Sequence, residues 1–283
     1  MEMPRGTARY SILKIETNMK IAIIGAGNMG GAIARGLAKG TIVNAGDITV
    51  SDPGQDKLDA LLADFPDMVA VNYNREAVVG ADVVVLAVKP WLVENVIGEV
   101  KDVLDYAGQT VVSIAAGVGT AQLRAWFDRG DGVCPALYYM IPNTAVAVMS
   151  GMTFIASARP DGERDAQVLN LFRELGDAML VEERLIPACM ALSSCGIAYV
   201  MRYIRAATEG GVELGLYAAD AQRIMMQTMR GAVDLLADLG SHPEAEIDKV
   251  TTPGGLTIKG LNAMEEAGFT QSVIKGLRAS VSK

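Results

Sequence analysis

Gly25, Gly27 and Gly30 fall in the spacing G-x-G-x-x-G within IIGAGNMGGA, directly after an apolar run and at the head of a helical pattern. Glycines so placed suit the pyrophosphate of a dinucleotide. The first allows a tight turn, the second lets backbone approach the phosphates, and the third lets helix and sheet pack closely. The helix start adds free N–H groups and a positive dipole end. The alternative, a glycine-rich turn without a ligand, fits the strand-turn-helix setting less well. Asp52 ends the next apolar run, where a carboxylate pairs with the ribose 2′-OH of NAD and repels a 2′-phosphate. Ser51 and Lys57 beside it favour NADP instead, and a solvated turn in SDPGQ is a third reading. These residues therefore leave NADH and NADPH both open.

Lys89 lies in LAVKP (86–90) after a nearly apolar stretch. It either faces the cofactor phosphates or nicotinamide ribose, or snorkels from the strand end. SIAAG (113–117) offers small residues to a flat ring, and Asn143 in IPNTA can both donate and accept. Late in the chain, TTPGGLTIKG gathers Pro253, Gly254 and Gly255, each costly inside a helix. The stretch either turns a corner with proline ahead of a helix, or offers N–H groups at the start of LTIKGLNAMEEAG to an anion, with a Thr257 hydroxyl added. His242 is the sole histidine and reads as an exposed loop residue in GSHPEAE. A hydroxy-acid dehydrogenase wants a His or Lys to move a proton with the hydride, and none is evident.

The elements that must hold these residues are legible from pattern. Runs rich in Val and Ile at 20–25, 47–52, 68–72, 82–89 and 110–117 alternate with helical patterns, and strand candidates follow at 136–141 and 152–157. Near-continuous apolar strands alternating with helices imply a parallel sheet covered on both faces. After Pro160 the strand signal fades. DAQVLNLFRELG reads as a helix stopped by Gly176, residues 187–214 are apolar or small on nearly every face, and a further long helix stops at Gly240. The expected organisation is an extension over 1–18, a Rossmann-type α/β domain over 19–160, and an all-helical dimerisation and substrate domain over 161–283. So apolar a helical layer is covered either by a second copy, the expected homodimer, or as a self-contained bundle.

Composition narrows the partners. A chain of 283 residues that is 51% hydrophobic and 20% charged has the makings of a large core and is not a disordered chain. A net charge of -8 argues against nucleic acid. Cys134, Cys189 and Cys195, odd in number and in apolar surroundings, read as free thiols in a reducing cytoplasm. The first residues lack a signal-peptide pattern, no uninterrupted apolar run reaches the roughly 18 residues of a membrane span, and no metal is expected.

Taken together, GAGNMGGAI, VVLAVKP, VSIAAGV, PNT, ALSSCGIAY, GAVDLLA, HPEAEIDKVTTPGG and TIKGL…EEAGF resemble the pyrroline-5-carboxylate reductase family in order and spacing, from Met19 on. The resemblance implies a Rossmann domain, a helical domain that interlocks with a second subunit, dimers that often build larger rings, and a reduced nicotinamide cofactor, NADPH or NADH. It implies reduction of 1-pyrroline-5-carboxylate to L-proline, with TTPGGLT holding the substrate carboxylate near the nicotinamide. The cofactor residues expected are Gly25, Gly27, Asn28, Met29, Gly30, Ser51, Asp52, Asn74, Ala87, Val88, Lys89, Pro90, Ala115, Ala116, Gly117 and Asn143. The substrate residues expected are Asn143, Ser194, Cys195, Gly196, Arg202, Gly254, Gly255 and Thr257, with Cys195 and Thr257 in catalytic roles.

The substrate side departs from the family pattern. Ser194 replaces Gly, Cys195 replaces Ser, Ile197 replaces Pro, Tyr139 stands where Arg is usual, Ala145 replaces Pro, and Leu256 stands where Thr or Ala is usual. Arg202 is either a carboxylate clamp or a surface arginine. Ordinary drift is one reading of these changes; a reductase of a different imine or keto acid, or a catalytically silent cofactor-binding paralogue, are the others.

Overall fold

The computed structural model describes residues 19–281, so the expected extension at 1–18 lies outside the described residues. The chain divides into two compact units, the first ending at Ile186 and the second starting at Pro187.

The first unit runs β1 (Ile21–Ile24), α1 (Asn28–Lys39), β2 (Ile48–Ser51), α2 (Gln55–Asp64), β3 (Val69–Val71), α3 (Asn74–Val78), β4 (Val83–Leu86), α4 (Val93–Val100), β5 (Thr110–Ser113), α5 (Thr120–Phe127), β6 (Ala136–Ile141), β7 (Gly151–Ser157), α6 (Gly162–Arg173) and β8 (Gly176–Leu180). The eight strands form one sheet in the order β3-β2-β1-β4-β5-β6-β7-β8. Neighbours are parallel except β6 and β7, which are antiparallel. Side-chain alternation splits the core in two. Ile21 and Ile23 join Leu37, Leu58 and Phe172 on one face, while Ala22 and Ile24 join Val93, Ile97 and Phe127 on the other. This is why the central strands read as unbroken apolar runs: both faces are covered.

The expected boundary at residue 160 differs from the one observed. Val168, Leu171 and Phe172 of α6 belong to the first unit's core, and β8 pairs with β7. Gly176, read as a helix stop, opens this strand at φ +139, and a Cβ there would run into the backbone of Gly151. Glycine is needed for that close approach.

The second unit is helical: α7 (Ile186–Met190), whose first residue closes the first unit, one π-helical turn over Ala191–Cys195, α8 (Gly196–Glu213), α9 (Ala218–Leu239), α10 (Pro243–Val250), α11 (Leu256–Glu266) and α12 (Phe269–Ala279). Gly240 ends α9 in the left-handed region, at φ +58. Gly211 lets α8 and α9 close up; an added Cβ would lie 2.9 Å from that of Ala221. Tyr203 and Phe269 meet edge-on at 6.2 Å between α8 and α12.

Both hydrophobic clusters lie in the first unit. In the second, Met201, Ile224, Val233, Leu235 and Leu239 are all more than half exposed. The covering expected for residues 187–214 is thus not supplied by the single chain. Averaged over its best window, the helical stretch Glu183–Glu213 has a mean hydropathy of 1.4 and 11% burial, long and apolar enough by length and composition to cross a membrane. No uninterrupted apolar run marks it in the sequence, because polar and charged residues such as Ser193, Ser194 and Arg202 break the stretch. Apolar surface on this scale marks a surface that something else covers.

Candidate cofactor and substrate sites

The order reverses at β1, which lies between β2 and β4, so the switch-point crevice opens at the C-terminal ends of β1 and β4. The glycine turn sits there. Gly25 has φ +107, and a Cβ on it would approach the Ala87 carbonyl oxygen to 2.6 Å. A Cβ on Gly30 would collide with the Gly25 carbonyl oxygen and press on the Ala87 side chain. Fold geometry requires both. Gly27 is different: it is the N-cap of α1 at φ −68, and an added Cβ would meet nothing within 4 Å. Among the described residues neither conformation nor packing demands glycine at 27, which fits a backbone left bare for a ligand's approach. The first turn of α1 has no side-chain cap and no acidic residue, so its N–H groups and dipole end suit a pyrophosphate. Asn28 and Met29 lie in that turn. The residues fit a dinucleotide.

Asp52 is buried and faces the turn rather than solvent. Its Oδ2 accepts the Ala26 N–H at 2.8 Å; its Oδ1 accepts the Gly54 N–H at 2.8 Å and Lys57 Nζ at 3.0 Å. Burial alone would raise this carboxyl, but the Gly54 N–H, Lys57 and the Ala26 N–H outweigh it and hold it below the usual aspartate value. Asp52 is therefore a brace between the β1 and β2 ends, and the solvated-turn reading is set aside. Ser51 presents no surface: it is fully buried and its hydroxyl donates to Asn74 Oδ1 at 2.8 Å. Asn74 in turn donates to Glu99 Oε2 at 2.7 Å. Ser51 thus meets the half-buried Asn74 rather than solvent, and Lys57 stays at the rim with 46% of its side chain exposed.

Ala87 and Val88 pack against the glycine turn from the β4 end. Lys89 is exposed and caps the short turn Pro90–Leu92. Beyond β5, Ala115 is buried while Ala116 and Gly117 are exposed, with Gly117 at φ +85. The Gly117 N–H donates to the Tyr139 hydroxyl at 3.0 Å. Burial pushes that phenol up, the Gly117 bond opposes it, and Glu183 adds to the rise. Glu183 also accepts from the Thr120 N–H and hydroxyl, at 3.1 and 2.5 Å, capping α5. Asn143 is buried, and its Oδ1 accepts the Ala145 and Met152 N–H groups, tying the β6–β7 connection together. The roles of Tyr139 and Glu183 escaped the sequence. Tyr139 was visible only as a replacement for arginine.

In the second unit, Ser194, Cys195 and Gly196 are half-buried at the π turn, a distortion common at functional sites. Arg202 is exposed on α8, and no carboxylate lies within 4.0 Å of it among the described residues. Gly254 turns the TTPGG corner at φ +68. Gly255 is the N-cap of α11, and its N–H donates to the Thr252 carbonyl at 2.8 Å. The first turn of α11 has no side-chain cap and no acidic residue, as in α1, and Thr257 is exposed within it. A corner and an anion-ready helix start coexist here. His242 is exposed and caps α10, its Nδ1 accepting the Glu244 N–H at 3.2 Å.

Comparison with known proteins matches these two parts separately. Residues 20–117 match a family model described as NADP oxidoreductase, coenzyme F420-dependent, and residues 183–283 match one described as pyrroline-5-carboxylate reductase dimerisation. The chain is 36% identical over 265 residues to the pyrroline-5-carboxylate reductase of Escherichia coli, covering 93% of this chain and 96% of that one. It is 33% identical over 276 residues to pyrroline-5-carboxylate reductase 1 of Dictyostelium discoideum, and spans about half of that longer relative, 49%. Among solved structures, a pyrroline-5-carboxylate reductase from Coxiella burnetii superposes with a TM-score of 0.86 at 30% identity, covering 94% of this chain and 97% of that one. A nicotinamide-type glycine turn, a helical dimerisation region and near full-length likeness to such enzymes agree, and the chain belongs to the pyrroline-5-carboxylate reductase family.

Proposed function

We propose that this chain reduces 1-pyrroline-5-carboxylate to L-proline with NADPH or NADH. The observation that carries the reading is the bare backbone at Gly27, open where the fold does not require it, in a chain with end-to-end likeness to reductases of this name. When bound, the dihydronicotinamide supplies a hydride for the imine carbon. The protein's own part is positional. Gly27 and the first turn of α1 take up the cofactor phosphates, Asp52 holds that turn rigid, and Tyr139 fixes the corner at 115–117. Gly254, Gly255 and Thr257 offer N–H and hydroxyl donors to the substrate carboxylate, with Cys195, Ser194, Gly196 and Arg202 completing the substrate side. Asn143 holds the β6–β7 connection. The imine nitrogen arrives protonated, so no histidine or lysine need titrate. The chain works as a homodimer through 183–283, extended to a ring of dimers, in the cytoplasm and away from membranes.

The test is loss of reduced-nicotinamide absorbance on adding pyrroline-5-carboxylate, run with NADPH and with NADH, with L-proline identified as product. The changes at Tyr139, Ser194, Cys195 and Ile197 favour one second reading, a different cyclic imine. Turnover of another imine without turnover of pyrroline-5-carboxylate would replace the first reading with it; tight cofactor binding without turnover of any imine would indicate a silent paralogue.

A further inference from the structure

A cavity of about 500 Å³ opens where β6 begins and β7 ends, between residues that take no part in the cofactor site. Its volume is within the roughly 300–1,000 Å³ range of small-molecule sites. Ala136 is the first residue of β6 and pairs with Thr110, the first residue of the parallel β5. The glycine turn, Ala87 and Gly117 instead follow the last residues of β1, β4 and β5. The cavity thus lies at the opposite edge of the sheet, roughly 13 Å away along a four-residue strand.

Its lining has a sign opposite to the chain's. The protein carries -8 overall, yet Arg124, Arg159 and Arg164 converge here against Asp161 alone. Arg164 is held in place: it donates to the Ala107 carbonyl and lies 3.6 Å from Asp161. Arg124 and Arg159 are exposed, and among the described residues no carboxylate lies within 4.0 Å of either guanidinium. Guanidinium groups match phosphate and carboxylate oxygens in pairs. Val133 and Pro135 give the cavity an apolar wall. We propose that this cavity is a second ligand site, for a small organic dianion, phosphorylated or dicarboxylic, with an apolar body.

Calorimetric titration of the full chain tests this, with phenyl phosphate and phthalate as separate probes and NADP⁺ kept saturating so that the glycine turn is filled. The expected result is one saturable event with a dissociation constant below about 1 mM. It should weaken at least about tenfold in Arg124→Gln/Arg159→Gln, with NADP⁺ affinity and thermal midpoint unchanged. Binding of phenyl phosphate alone identifies a phosphorylated ligand, and binding of phthalate alone a dicarboxylate. Val133→Trp, which fills the cavity without touching a charge, should abolish the event as well. No saturable heat from either probe, or equal binding by wild type and both variants, overturns the proposal.

Discussion

Asp52 reaches back 26 positions to accept the Ala26 N–H at 2.8 Å, so the residue that ends β2 fixes the turn that ends β1. Asp52→Asn turns one acceptor into a donor facing donors, and should cost about 1–3 kcal/mol of unfolding free energy and raise the KM for either cofactor. Because the folded carboxyl lies below its ordinary value of 3.8, its contribution is present above that pH and is lost as pH falls through the lower, folded value. Denaturant titrations of both proteins between pH 5 and pH 2 should therefore show a shallower acid decline in the variant.

Gly27 and Gly30 should fail in different ways. Gly27→Ala places a methyl in open space, leaving the unfolding free energy nearly unchanged while cofactor affinity falls by an order of magnitude. Gly30→Ala drives a methyl into the Gly25 carbonyl and should destabilise by about 1–3 kcal/mol. Thermal melts with and without NADPH separate the two; equal destabilisation by both would contradict a ligand-facing role for Gly27.

Tyr139→Phe removes the acceptor of the Gly117 N–H and nothing else. The expected outcome is a cofactor KM raised several-fold, with kcat less affected and the fold intact. The raised phenol makes a second prediction with a definite sign. Its stabilising effect is present below pH 10, the ordinary tyrosine value, and is lost as pH rises above it, so the alkaline decline in stability should be shallower in the variant.

Thr257→Val keeps the shape of the first turn of α11 and deletes its hydroxyl. A substrate role predicts kcat/KM for pyrroline-5-carboxylate reduced about 10–100-fold, with cofactor binding unchanged. Cys195→Ser should leave most activity and Cys195→Ala should lower it, if the thiol serves as a hydrogen-bonding group.

Leu235→Asp places a charge on an exposed apolar face of α9. Sedimentation should show the dimer giving way to monomer or aggregate, while the isotherm for NADPH at the first unit persists. An unchanged dimer would exclude that face from the contact.

The strands were readable from sequence because β1, β4 and β5 are buried on both faces and give unbroken apolar runs. The strand β8 was not, because GDAML has a single buried residue, Ala178, and carries no alternation. The domain boundary was misread for the same reason. The glycine turn was readable because its spacing sits between a strand and a helix, with Gly25 and Gly30 required by the fold and Gly27 left open. Tyr139, Glu183 and the inward turn of Asp52 were not, since each depends on a partner distant in sequence. The apolar faces of α8 and α9 were legible as a demand for cover, but the sequence could not say that the single chain leaves it unmet.

The π turn at Ala191–Cys195 carries one residue more than a regular helical path would, and Ile197, not proline, follows it. That residue is absorbed locally, so the segments on either side keep the path they would have without it. Wound as a regular helix at its present length, the stretch would instead turn the flanking segments about 100° relative to each other, bringing the wrong stripe of α8 to α9 and α12. Loss of one residue should therefore spare the packing of α8 and cost the wide turn, and with it the placement of Ser194 and Cys195.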